Sequence, residues 1–253
     1  MTSDLVRLYP AASPNGSGLV WAHGGGFAFG DLDMPEADFV ARTLADAGTT
    51  VVSVDYRLAA GGVRFPVPLD DVVTAWEWMH ARREELGIDR LAIGGASAGG
   101  NLAAAAALRL AGTATAPDLV VLAYPTLLAI QPAPDARLRA ALDADPFADR
   151  FGPQVVREMY EKYLGTQAST APVEAAPGLA TAAQLADYPP TLIVNGDIDE
   201  LRVSAEVFAA TLRAAGREIE CVLEPGTGHG FLNRPDEPAA TAVLARIAAR
   251  LAA

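Results

Sequence analysis

A single cysteine, Cys221, is all the thiol chemistry the chain holds. No intramolecular disulfide can form, so nothing calls for an oxidising compartment. Its setting, Ile219-Glu220-Cys221-Val222-Leu223, alternates like a half-buried strand, which reads as a small core residue rather than a catalytic thiol. Long apolar runs are missing too: no segment approaches the roughly 18 continuous apolar residues of a membrane span. The stretch Met1-Thr2-Ser3-Asp4-Leu5 has no basic region followed by an apolar one, so no signal peptide is expected and the cytoplasm is the default location. Positive charge is scarce, with 19 Lys and Arg against 31 Asp and Glu, a formal net charge of −12. Such a surface repels phosphate backbones and anionic lipid headgroups, which argues against nucleic-acid and membrane partners. Three histidines and one cysteine make no cluster with metal-ligand spacing, so neither metal nor cofactor is expected.

What is present suits a globular protein. Hydrophobic residues make up 51% of the 253 and charged residues 20%, the balance of a chain with a sizeable core. Short β-branched runs alternate with longer alanine-rich segments. Strands are predicted at Leu5–Tyr9, Gly18–His23, Thr49–Asp55, Arg90–Gly94, Leu119–Tyr124, Thr191–Asn195 and Glu218–Glu224. Runs such as Val51-Val52-Ser53-Val54 read as strands buried on both faces, as in the interior of a parallel sheet. Helices are predicted near Met34–Ala47, Leu69–Leu86, Ala98–Ala111, Gln154–Leu164, Leu201–Ala215 and Pro238–Leu251. This alternation indicates an α/β layer fold, a mostly parallel sheet flanked by helices. With no repeat and no linker, residues 1–253 read as one domain. The stretch 131–190, rich in proline and alanine with one clear helix, is too long for an ordinary connection. It reads as an insertion that roofs an active site, with a mobile surface loop as the alternative for 131–150.

Two glycine-rich segments carry chemistry. Gly95-Ala96-Ser97-Ala98-Gly99, between a predicted strand and a predicted helix, matches the nucleophile elbow G-x-S-x-G. Small neighbours let the hydroxyl stand clear of the sheet, and the following helix turns its N-terminal dipole toward developing negative charge. His23-Gly24-Gly25-Gly26-Phe27, directly after a strand, suits a loop whose amides converge on an oxyanion. It lacks the Lys-Ser/Thr of a P-loop and the third glycine of a dinucleotide fingerprint. Of the three histidines, His80 sits in a helical stretch and His23 braces the glycine loop. That leaves His229, in Gly228-His229-Gly230-Phe231 after the last strand, as the general base. The acid should fall between Ser97 and His229 and leave a strand end. Asp197 and Asp199 both do, and spacing alone does not choose between them.

With these segments the chain resembles the hormone-sensitive-lipase-like branch of the α/β-hydrolases, a family of carboxylesterases and lipases. The carrying residues are His23–Phe27, Val54-Asp55-Tyr56-Arg57-Leu58-Ala59, Gly95–Gly100, Asp199-Glu200-Leu201-Arg202 and His229-Gly230-Phe231. The resemblance implies an α/β-hydrolase fold and a Ser97–His229–Asp199 triad, with oxyanion donors at the amides of Gly25, Gly26 and Ala98. Two departures stand out. Ala96 occupies a position the family commonly gives to Asp, and only about twenty residues precede His23, where relatives carry a long lid segment. A reduced lid, built mainly from 131–190 over a more open pocket, is the expectation. Phe27, Phe29, Tyr124 and Phe231, with Leu127, Leu128, Phe147, Phe151 and Tyr160, are the candidates for lining the pocket, although about half would serve equally as core. The expected reaction is serine-dependent hydrolysis of a small-molecule ester, uncharged and with a small to medium acyl group. Alternatives are N-formyl or N-acetyl amide hydrolysis on the same residues, and a non-catalytic homologue that only binds a small ligand. An exposed terminal strand would offer a homodimer contact.

Overall fold

The structure, a computed structural model, describes residues 5–253; Met1–Asp4, read above for a leader, lie outside the described residues. Seven strands form one sheet in the order β1-β3-β2-β4-β5-β6-β7. They are β1 (Val6–Tyr9), β2 (Ser17–Ala22), β3 (Thr50–Val54), β4 (Arg90–Ala96), β5 (Leu119–Ala123), β6 (Thr191–Ile198) and β7 (Ile219–Gly228). Only β1 runs antiparallel, pairing Val6 with Val54 and Tyr9 with Val51; the other five pairings are parallel. The helices are α1 (Pro35–Asp46), α2 (Val67–His80), α3 (Ala98–Leu110), α4 (Ala136–Ala144), α5 (Pro153–Leu164), α6 (Arg202–Ala214) and α7 (Pro238–Ala252).

The pleat divides the core in two. Along β2, Leu19 and Trp21 point to one face and Val20 and Ala22 to the other, as alternation in a strand requires. Leu19, Trp21, Val51, Val121 and Val194 meet Val40 and Leu44 of α1 and Val243, Leu244 and Ile247 of α7. Val20, Val52, Ile93, Val120 and Ile193 meet α2, α3 and α6 through Trp76, Leu102 and Phe208. Ala103–Ala107 are all fully buried, so this part of α3 is covered on every side and sits close between the sheet and α2.

Away from the site, α2 ends at His80 instead of running to Leu86; two further differences from the sequence reading concern the 131–190 stretch and the ends of β6 and β7. The 131–190 stretch holds two helices, not one. The additional helix, α4, is capped by the Asp135 side chain, which accepts from Leu138 N–H at 2.7 Å, and it buries Leu138 and Leu142 one turn apart. Nine residues make a periodic signal too short to stand out among prolines. In addition, β6 and β7 run on through Asp197-Ile198 and Gly226-Thr227-Gly228, which read as loops. Their pairing resumes after a register shift between Gly196 and Ile198, where Ile198 opposes Gly228.

Burial of this kind sets the cost of core changes. Ile93→Ala, on β4 and fully buried between β2 and β5, is expected to cost about 2–5 kcal/mol. Phe147→Ala, at a site 88% exposed, should stay within about 0.5 kcal/mol of the parent. Urea unfolding midpoints at constant m measure both.

Candidate active site

β4 ends at Ala96, and Ser97 then turns the chain into α3 with φ 53° and ψ −115°. That conformation is strained for a residue with a Cβ. Among the described residues only Phe27 (66°) and Tyr124 (37°) are other non-glycine residues with positive φ, and both border the same site. Ser97 N–H donates to Ala123 C=O at 2.9 Å, which anchors the turn to the end of β5. A Cβ on Gly95 would lie 2.4 Å from Gly99 C=O, and one on Gly99 would lie 2.2 Å from Ala22 C=O. Both positions therefore exclude any side chain.

The serine faces the histidine named from sequence. Ser97 Oγ and His229 Nε2 are 2.9 Å apart, and His229 Nδ1 is 2.8 Å from Asp199 Oδ2. Ser97 is 7% exposed, His229 8% and Asp199 0%. Nδ1–H donates to the carboxylate, which leaves Nε2 to accept from the serine hydroxyl. Asp199 Oδ1 accepts from Leu201 N–H at 2.9 Å, fixing the carboxylate plane. Asp197 points elsewhere: its Oδ1 accepts from Thr227 N–H at 3.2 Å and does not meet the imidazole. Tyr124 and Phe151 pack edge-on against the His229 ring, with centroids 4.9 Å and 4.5 Å away. Glu200, next to the acid, is 1% exposed; burial pushes its carboxyl above the usual range, against the pull of Arg139 of α4 at 3.8 Å.

The glycine loop lies beside the serine. His23 is buried, stacks on Tyr56 at 4.5 Å and bonds Gly24 C=O through Nδ1 at 2.7 Å. Burial holds its pKa below the ordinary histidine value, so it stays neutral and braces the turn. Tyr56 O–H donates to the carbonyls of His23 and Gly24 at 2.9 Å and 3.1 Å. The amides of Gly25 and Gly26 donate to no group among the described residues, and Ala98, the first residue of α3, also keeps a free N–H. Gly25 has φ 110°, and a Cβ there would lie 2.0 Å from Phe29 C=O.

A cavity of about 540 Å³ opens over Ser97 and His229. Its apolar lining comes from Ala28, Phe29, Met34, Phe151, Val155 and Met159. Of the residues named from sequence as pocket lining, Phe29 and Phe151 are there. Phe27 is not: its ring is fully buried, stacked at 3.9 Å on Tyr163 of α5. Tyr124 and Phe231 are buried against each other at 5.0 Å, behind the imidazole. Leu127, Leu128 and Tyr160 belong to the core, and Phe147 is exposed to solvent away from the cavity. Apolar character alone could not sort them, because core and pocket use the same side chains. Sequence reasoning also missed Glu36 in the first turn of α1. Its Oε1 accepts from Gly24 N–H at 2.8 Å and its Oε2 from Tyr124 O–H at 2.9 Å. A first-turn acid after a proline looks like an ordinary helix-dipole partner, so nothing local marks it.

Among the described residues no group of three or more His, Cys, Asp or Glu could hold a metal ion, and no helix is long and apolar enough to cross a membrane. The pattern of the alpha/beta hydrolase fold family matches residues 19–233. Ethyl acetate hydrolase of Pseudomonas putida is 34% identical over 242 residues, covering 90% of this chain and 71% of that protein. Carboxylesterase NlhH of Mycobacterium tuberculosis is 38% identical over 241 residues, covering 92% and 72%. Among solved structures, an esterase of Pyrobaculum calidifontis superposes with a TM-score of 0.84 at 29% identity, over 98% of this chain and 80% of that one. EstE1, a carboxylesterase cloned from a metagenomic library, gives 0.82 at 30%, over 98% and 83%. By its match across most of its length, its sheet order and its relatives, the chain belongs to the α/β-hydrolase family, in the hormone-sensitive-lipase-like branch, and is a carboxylic ester hydrolase.

Proposed function

We propose that the chain hydrolyses uncharged esters with small to medium acyl groups, using Ser97 as nucleophile, His229 as general base and Asp199 as the acid that orients it. The observation that carries this reading is the unbroken line from Ser97 Oγ to His229 at 2.9 Å and on to Asp199 at 2.8 Å, beside three unused amides. Ser97 Oγ attacks the ester carbonyl carbon as its proton passes to His229 Nε2. The carbonyl oxygen becomes an oxyanion held by the N–H groups of Gly25, Gly26 and Ala98, each donor of this kind being worth about 2.7–4 kcal/mol in related chemistry. The imidazolium, steadied by Asp199, returns the proton to the leaving alkoxide. Water then attacks the acyl-serine by the same route, releasing the acid and restoring Ser97.

The cavity supports the substrate class. Its near wall is Phe29, Phe151, Val155, Met34 and Met159, and about 540 Å³ holds a modest ligand rather than a long chain. The 131–190 stretch reaches this cavity through Arg150–Lys162: Phe151 packs on the imidazole, and Val155, Glu158, Met159 and Lys162 of α5 line the space.

Ser97→Ala is expected to lower kcat/KM by at least about 10³-fold. Asp199→Asn should lose a comparable factor, whereas Asp197→Asn, which keeps an acceptor for Thr227 N–H, should stay within about threefold of the parent. Steady-state rates on a nitrophenyl ester check all three, and an Asp197 variant as impaired as the Asp199 variant would overturn the assignment.

A series of nitrophenyl esters of graded chain length, with anilides alongside, tests substrate class. Rates should peak at short to medium acyl groups, fall for long ones and be far lower for anilides.

A further inference from the structure

Glu36 is a buried acid beside the site that the hydrolysis scheme leaves without a task, and unlike the buried Glu200 it bonds directly to the glycine loop. Pro35 opens α1 and puts Glu36 in its first turn, where unpaired N–H groups favour an anion. The residue is 2% exposed, and among the described residues no Lys, Arg or His forms an ion pair with it. A buried charge is costly unless it is well hydrogen-bonded, and here all four polar atoms are used. Oε1 accepts from Gly24 N–H at 2.8 Å and Oε2 from Tyr124 O–H at 2.9 Å. The Glu36 carbonyl accepts from Trp21 Nε1–H at 2.8 Å, and its amide donates to Asn233 Oδ1 at 3.2 Å. One residue therefore joins the glycine loop, the ring packed on His229 and the segment that follows His229.

The geometry at Gly24 shows what that joining holds. A Cβ there would meet Glu36 Oε1 at 2.3 Å and Ser97 Cβ at 3.1 Å, so the carboxylate and the nucleophile flank the same glycine. Gly24 C=O is held by His23 and Tyr56, and Gly24 N–H by Glu36. With both sides of Gly24 committed, the next two amides, Gly25 and Gly26, are left free beside Ser97. On the other side, the Tyr124 ring lies edge-on to the imidazole while its hydroxyl is tied to the same carboxylate.

We propose that Glu36 is a positioning residue for ester hydrolysis, setting the glycine-loop amides against Ser97 and, through Tyr124, the imidazole between Ser97 and Asp199. The proposal rests on the functional reading above and adds to it a residue that touches no reacting atom.

Two variants of similar volume test it. Glu36→Met fills the space without an acceptor, and Glu36→Gln keeps one for Gly24 N–H. On a short-chain nitrophenyl ester, kcat of Glu36→Met should fall by about tenfold or more with KM within about threefold, and Glu36→Gln should exceed it in kcat by about fivefold or more. A smaller ratio between the two variants, or a loss carried by KM, overturns the proposal, since a space-filling role would treat them alike. If circular dichroism shows that Glu36→Met does not fold, Tyr124→Phe decides. It removes one donor to Glu36 at nearly constant volume, and kcat should fall at least about threefold at unchanged KM, any smaller fall overturning the proposal. Ser97→Ala, assayed in parallel, separates the two readings. Hydrolysis that survives it removes the nucleophile on which the proposal stands, whereas an inactive Ser97→Ala beside indifferent Glu36 variants removes only the role of Glu36.

Discussion

The polar machinery depends on one close approach, that of the first turn of α3 to the end of β2. A Cβ on Gly99 would lie 2.2 Å from the carbonyl of Ala22 and 2.3 Å from that of His23. Those carbonyls lead directly into the glycine loop, so the contact that seats the nucleophile also sets where its neighbouring amides begin. Gly95 repeats the constraint from the strand side, at 2.4 Å from Gly99 C=O. Van der Waals repulsion at this range admits hydrogen only. Alanine-rich α3 makes the approach possible along its length, since Ala103–Ala107 hold the helix axis near the sheet.

Around that contact the protein concentrates its strain and its buried polar bonds. Ser97, Phe27 and Tyr124 hold backbone conformations that cost of order 1–3 kcal/mol each, and each is over-determined by its surroundings. Ser97 is tied to Ala123, Tyr124 N–H to Val194 C=O at 2.7 Å, and Phe27 C=O to Ala59 N–H at 2.7 Å. The price of ordering is met by the core on either side of the sheet, whose β-branched and leucine side chains contribute about 1.5–3 kcal/mol each when fully buried.

The stretch between β5 and β6 belongs to this arrangement. Helix α5 has two working faces. Tyr160 and Tyr163 are buried and clasp the Phe27 ring at 5.5 Å and 3.9 Å, while Val155, Glu158, Met159 and Lys162 border the cavity. Tyr160 also receives a bond from Asn101 of α3 at 2.9 Å and donates to Thr126 C=O at 2.9 Å. The helix that meets the ligand space is thus fastened both to the glycine loop and to the helix that follows Ser97.

The sequence by itself determined the layer class, all seven strands, the serine turn and the glycine loop. Each of these is written in local terms: a period of two or of 3.6, or a glycine where a side chain cannot fit. It also singled out His229, because a chain with three histidines has one beside a strand end and far from the glycine loop. Tertiary structure decided the rest. Asp197 and Asp199 are alike in local pattern, and only the family resemblance favoured Asp199; in the fold, across the register shift between Gly196 and Ile198, one carboxylate meets Thr227 and the other the imidazole. Phe27 and Phe29, two residues apart, part company because the chain turns at Phe27, sending one ring into the core and leaving the other 72% exposed at the cavity. Glu36 acquires its partners only when α1, the glycine loop and the end of β5 meet. Contacts between residues distant along the chain leave no periodic trace in it, so only the folded molecule reveals which of several chemically equal side chains occupies the site.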